Sequence, residues 1–198
     1  MVFGVFNTRK TDSYPTQLGN LLGSKYAVCN YGCSGTSLSR QGKFPYYGDY
    51  GYNAAINGLP NIVILMLGTN DTQDESWINQ DFFEGETTWL ISQFLNISSN
   101  PAIYICSPPP MYSVKYNGKY NNIIYTNIIP AIKNVVKQQQ DKGNKVQYID
   151  VNSVFPNPSV DPDYQKFLTE FMADAIHPNK NGNTMIAVKV YETLIKQL

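Results

Sequence analysis

The 198 residues contain a single histidine, and it lies in Asp174-Ala175-Ile176-His177-Pro178. A lone histidine is more often a satisfied surface or core residue than a catalytic one; the carboxylate three residues earlier changes the balance. On a turn, Asp174 can accept the Nδ1 proton of His177, fix the tautomer and stabilise the imidazolium, which leaves Nε2 to take a proton from a nucleophile. A second candidate is Gly68-Thr69-Asn70-Asp71, directly after an apolar run. As plain structure it is a strand-ending turn, since Gly and Asn tolerate left-handed backbone. As chemistry, it offers the Asn70 amide to a cleft as an oxyanion donor. Gly35, in Asn30-Tyr31-Gly32-Cys33-Ser34-Gly35-Thr36-Ser37, would add a backbone N–H that no side chain shields. One donor of this kind is worth roughly 3–4 kcal/mol in the transition state of acyl transfer.

Other polar clusters carry less. Residues 41–53 hold Phe44, Tyr46, Tyr47, Tyr50 and Tyr52 among glycines, with neither a helical nor a strand period. The segment reads as a loop, and two uses of its rings stay open: a platform for a sugar face, or packing on the loop's own domain. Asp71, Asp74 and Glu75 lack the spacing of a calcium loop and read as a solvated turn. Cys29, Cys33 and Cys106 form no C-x-x-C pair, and one histidine makes a zinc site implausible. Plain thiols are expected, with no metal and no cofactor. Ser13 and Ser34 suit a helix cap and a turn better than a nucleophile's role.

These residues need elements to hold them. Four short apolar runs have strand character: Tyr26–Asn30, Ile62–Leu67, Ile103–Cys106 and Val146–Asp150. The last three are continuous rather than alternating, as in strands covered on both faces. Between them, Ser13–Leu22, Phe82–Leu95, Ile123–Gln140 and Gly182–Leu198 carry helical spacing, with Pro15 suited to a first turn and Gly143 to a C-cap. Strands alternating with helices predict an α/β domain with a parallel sheet, and nothing divides the chain, so residues 1–198 read as a single domain. In such sheets ligands bind beyond the carboxyl ends of the strands, where the Gly35 and Asn70 segments and Ser107-Pro108-Pro109-Pro110 all fall.

Fifteen Lys and Arg balance fifteen Asp and Glu, which argues against nucleic acid as a partner. No apolar run approaches the roughly 20 residues of a membrane span, and Met1 opens no secretory signal.

Taken together, Asn30-x-Gly32-x-Ser34-Gly35, Gly68-Thr69-Asn70-Asp71 and Asp174-x-x-His177-Pro178 resemble the second, third and fifth blocks of the SGNH (GDSL-type) esterases. Ser13-Tyr14-Pro15 and Leu18 match the family's first helix, so the resemblance covers almost the whole chain. It implies a three-layer α/β/α sandwich with a flavodoxin-like parallel sheet. It also implies Gly35 and Asn70 as oxyanion donors, His177 as general base and Asp174 as its orienter. Trp77 and Pro108-Pro109-Pro110 look most like the carbohydrate and sialate O-acetylesterases, whose substrates are small-molecule or carbohydrate esters; Tyr46, Tyr47 and Trp77 are the expected sugar contacts. The departure is at the start. Met1-Val2-Phe3-Gly4 resembles the tail of the first block, which puts the family's nucleophilic serine, and the strand before it, outside this numbering. An extended segment, from this chain or a partner chain, is then expected between Tyr26–Asn30 and Ile62–Leu67. The competing reading is an inactive relative serving as a structural or binding subunit.

Overall fold

A computed structural model describes residues 8–112 and 118–197. The resemblance to the first block at Met1–Gly4 therefore lies outside the described residues. Three short strands, β1 (Ile62–Leu65), β2 (Ala102–Cys106) and β3 (Val146–Ile149), form one parallel sheet in the order β1-β2-β3. Val63 pairs with Ile103, and Ile103 with Val146. Both sides of this sheet are covered, as the unbroken apolar runs require. Val63, Leu65, Ile103 and Ile105 turn to one face. There they meet Phe83, Leu90, Ile91 and Phe94 of α3 (Gln80–Leu95) and Ala131, Ile132, Val135 and Val136 of α5 (Ile129–Asp141). Ile62, Ile64, Tyr104 and Cys106 turn to the other. There they meet Tyr14 and Leu18 of α1 (Tyr14–Leu22) and Ile186, Val190 and Leu194 of α7 (Lys180–Leu194). The three layers expected from the sequence are present.

Local chemistry explains most element limits. Pro15 sits in the first turn of α1, where its missing N–H costs nothing. Asn79 and Asn179 cap α3 and α7 through their side-chain oxygens, accepting from Phe82 N and from Asn181 N and Gly182 N. The single helix expected over Ile123–Gln140 is three consecutive pieces: α4 (Lys119–Ile123), a π-helical turn over Ile124–Ile128, and α5. Pro130 has no N–H to give back to Thr126, and the wider turn falls just ahead of it.

Two readings need correction. Among the described residues Tyr26–Asn30 joins no strand ladder, Asn30 O instead accepting from Arg9, and no described strand lies on the outer edge of β1. Neither direct pairing with β1 nor an intervening extended segment is seen among the described residues. The Tyr-rich segment is not a loop throughout, since α2 (Tyr50–Asn57) begins inside it, capped by Asp49, whose side chain accepts from Gly51 N. A further helix, α6 (Tyr164–Phe171), has no counterpart in the sequence reading; Tyr164, Phe167 and Phe171 lie on one stripe, and Phe167 packs against Phe155 and Phe171.

Candidate active site

The loop before α7 brings Asp174 and His177 together. His177 Nδ1 lies 2.9 Å from Asp174 Oδ2, while Asp174 Oδ1 accepts from His177 N at 2.6 Å and Ile176 N at 2.7 Å. One carboxylate thus closes the turn with one oxygen and orients the imidazole with the other. Burial pushes the Asp174 carboxyl up, but the His177 ring, the two amides and the neighbouring charge outweigh it and hold the group below the usual carboxylate range. An ionised partner at this distance is what an imidazole needs to act as a base.

Asn70 opens a short 3₁₀ turn, Asn70–Thr72, beyond the end of β1. Gly68 makes that exit possible: its φ is +115°, and a Cβ there would sit 2.9 Å from Ile128 Cγ2. Asn70 Nδ2 donates one hydrogen to Thr36 O at 2.9 Å, which leaves the second for a ligand, and Gln73 Nε2 donates to Asn70 Oδ1 at 3.3 Å. Gly35 lies in an exposed turn closed by Thr36 Oγ1 donating to Cys33 O, with φ +77°, and its N–H donates to none of the described residues. The two candidate oxyanion donors are thus joined by a hydrogen bond one residue from Gly35.

A chain of contacts ties the His177 loop to these turns. Thr72 Oγ1 reaches Met111 Sδ at 3.8 Å, and the next residue, Tyr112, donates its N–H to Ala175 O at 2.7 Å. Ile176 packs on the cluster of Met111, Tyr120, Ile124 and Ile129. The Ser107–Pro110 segment supports this corner from below: it is buried, with Ser107 Oγ accepting from Asn152 N and donating to Asp150 Oδ1.

One expected sugar contact and one expected turn residue are placed differently from the sequence reading. Tyr46 is not an open sugar contact; it is 7% exposed, its ring lies in the core against Tyr52, and its hydroxyl donates to Tyr31 O. Burial of this ring seals the loop onto the domain, which is the packing alternative. Tyr47 behaves differently: it is 48% exposed and stands edge-on to Tyr52 and Trp89. Trp77 is half-buried against Phe83. Asp71 is no solvated turn residue either. It is 1% exposed and accepts from Leu38 N and Ser39 N, both at 2.8 Å. Asp74 and Glu75 do face solvent, paired with Lys119 and Lys43. Glu86, absent from the sequence reading, is buried beside Arg40. The signal for it was there, since Glu86 falls between Phe83 and Leu90 on the apolar stripe of α3. Ser13 is a buried helix-start residue whose hydroxyl donates to Arg9 O. The three cysteines are free thiols, and no cluster of metal-ligating side chains occurs among the described residues. No helix among the described residues is long and apolar enough to cross a membrane.

The chain is similar to several known proteins. The profile of the GDSL-like lipase/acylhydrolase family matches residues 1–185. An acetylxylan esterase from Xylanibacter ruminicola is 28% identical over 93% of this chain, and the chain spans 39% of that relative's length. Among solved structures, the native M. Smegmatis aryl esterase superimposes with a TM-score of 0.68 at 19% identity, covering 94% of this chain and 86% of that one. Est24, a carbohydrate acetylesterase from Sinorhizobium meliloti, gives 0.65 at 15% identity with the same coverage. A family 3 carbohydrate esterase from Clostridium thermocellum gives 0.58 at 20% identity, covering 93% and 86%.

Proposed function

The chain belongs to the GDSL-like lipase/acylhydrolase family, and from that premise we propose that it hydrolyses short-chain acyl esters, acetyl esters of carbohydrate above all, through a serine acyl-enzyme. The observation that carries this reading is the Asp174–His177 pair at 2.9 Å, with the carboxylate held ionised by the turn it closes. The nucleophile is the serine of the family's first motif, a Gly-Asp-Ser or Gly-Asn-Ser that residues 1–198 do not contain.

The serine oxygen attacks the ester carbonyl while His177 Nε2 takes its proton, and Asp174 stabilises the imidazolium that forms. The carbonyl oxygen becomes an oxyanion, bound by the Gly35 N–H and the second hydrogen of Asn70 Nδ2. Collapse breaks the bond to the alcohol, which leaves with the proton held by His177. Water then enters, gives a proton to His177 and attacks the acyl carbon, and collapse releases the acid and returns that proton to serine. An acetylxylan esterase relative and carbohydrate acetylesterase neighbours support a sugar ester as substrate, and the exposed ring of Tyr47 offers a sugar a face to stack on.

The test is hydrolysis of p-nitrophenyl acetate by this chain extended with an upstream strand ending in Gly-Asp-Ser, beside its His177→Ala variant. Turnover lost in the variant at an almost unchanged Tm is the expected result. A large fall in Tm would make His177 a structural residue. Equal background rates in both would leave the inactive-relative reading.

A further inference from the structure

Three consecutive backbone N–H groups follow the Gly35 turn, and two carboxylates take all of them. Asp71 Oδ2 accepts from Leu38 at 2.8 Å, Asp71 Oδ1 from Ser39 at 2.8 Å, and Glu86 Oε2 from Arg40 at 2.7 Å. Asn70 Nδ2, one residue from Asp71, donates to Thr36 O at 2.9 Å. Neighbouring side chains of one 3₁₀ turn therefore grip residues 36–39 at both ends, one as donor and one as double acceptor. Thr36 to Ser39 are all buried, so the grip lies out of water, while Gly35 is exposed just before it.

We propose that Asp71 is the positioning residue that fixes the Gly35 turn against Asn70 and so sets the spacing of the two oxyanion donors, an inference that rests on the esterase reading above. Asp71 itself touches no reacting atom. Its carboxylate is costly to bury, because it faces two amides and no cation in hydrogen-bond contact. Burial pushes its carboxyl up to about 6, against the pull of the Leu38 and Ser39 amides, and the charge of Glu86 adds to the rise. Glu86 faces it from α3 and is paired in turn with Arg40, whose guanidinium donates to both its oxygens. The ionised form accepts strongly with both oxygens; protonation turns one of them into a hydroxyl, a weaker acceptor that also carries a donor beside a backbone N–H.

The inference is tested by following the backbone amides of the 198-residue chain by ¹⁵N NMR from pH 4.5 to 8, in the wild type and in His177→Ala. Leu38, Ser39 and Gly35 should shift together with one midpoint near 6 in both proteins. A Gly35 resonance that stays put while Leu38 and Ser39 titrate would overturn the proposal, as would a Gly35 shift that vanishes with His177. The second arm is Asp71→Asn, whose amide group must face one backbone N–H with its own donor. In protein competent for p-nitrophenyl acetate hydrolysis, kcat should fall at least tenfold with KM within about twofold. A rise in KM alone, or unchanged kcat, would count against positioning. Should Asp71→Asn fail to fold, the wild-type titration still decides. A serine-bearing chain without His177-dependent turnover would defeat the esterase reading but not the amide result, so the two failures are distinguishable.

Discussion

Asp174 makes three hydrogen bonds from one carboxylate, and they divide its work: Oδ1 shapes the turn through two amides, Oδ2 holds the ring of His177. Asp174→Asn would keep the size but replace one acceptor by a donor, so the imidazole would face an N–H or take the wrong tautomer. The expected loss is on the order of 10³–10⁴-fold in kcat with Tm little changed, measured by steady-state kinetics and calorimetry. The pH dependence has a definite sign. The folded value of Asp174 is depressed, so its stabilising contribution is complete above the ordinary carboxylate value and is lost only as pH falls through the lower folded one. Asp71 runs the opposite way. Its folded value is raised to about 6, so the contribution of this group to stability is present in acid and declines as pH rises through 4 to 6. The buried carboxylate is thus kept ionised at neutral pH against the preference of the fold, which is the mark of a residue held for geometry.

At the scale of the elements, the position of Asn70 depends on how β1 ends. The chain leaves the strand through Gly68, packed against Ile128 of the π-helical turn and Phe83 of α3. Gly68→Ala would add a Cβ at 2.9 Å from Ile128 and force a side chain into φ +115°. A destabilisation of about 1–3 kcal/mol is expected in urea unfolding, with a fall in kcat larger than the loss of folded protein explains. Helices α1, α3, α5 and α7 were legible because each carries apolar residues at helical spacing. Helix α6 was not read, although its aromatic stripe is regular, because it buries none of its residues fully and lies outside the strand–helix alternation. Tyr26–Asn30 looked like a strand from composition alone. Pairing is a property of two segments, and among the described residues no strand ladder includes it.

For the whole molecule, the three-layer arrangement gathers residues far apart in sequence at one end of a parallel sheet. The same packing decides which aromatics meet solvent. Tyr46 and Tyr47 are adjacent, yet one points into the core and the other out, supported by Trp89, which Arg40 covers at 4.1 Å. On the sugar-ester reading, Tyr47→Ala should raise KM several-fold for an acetylated xylo-oligosaccharide and leave KM for p-nitrophenyl acetate unchanged. Equal effects on both substrates would remove Tyr47 from sugar recognition.

The sequence by itself determined the alternation of strands and helices, the two-sided burial of the sheet and the Asp174–His177 pair, because each is set by local spacing. Tertiary structure alone decided that Asp71 is buried rather than solvated, that Tyr46 belongs to the core, and that Glu86 takes the amide of Arg40 forty-six residues away. The physical reason is common to all three. Burial and hydrogen-bond partners depend on which loops meet, and no local pattern records whether a carboxylate after a strand will find water or two backbone amides.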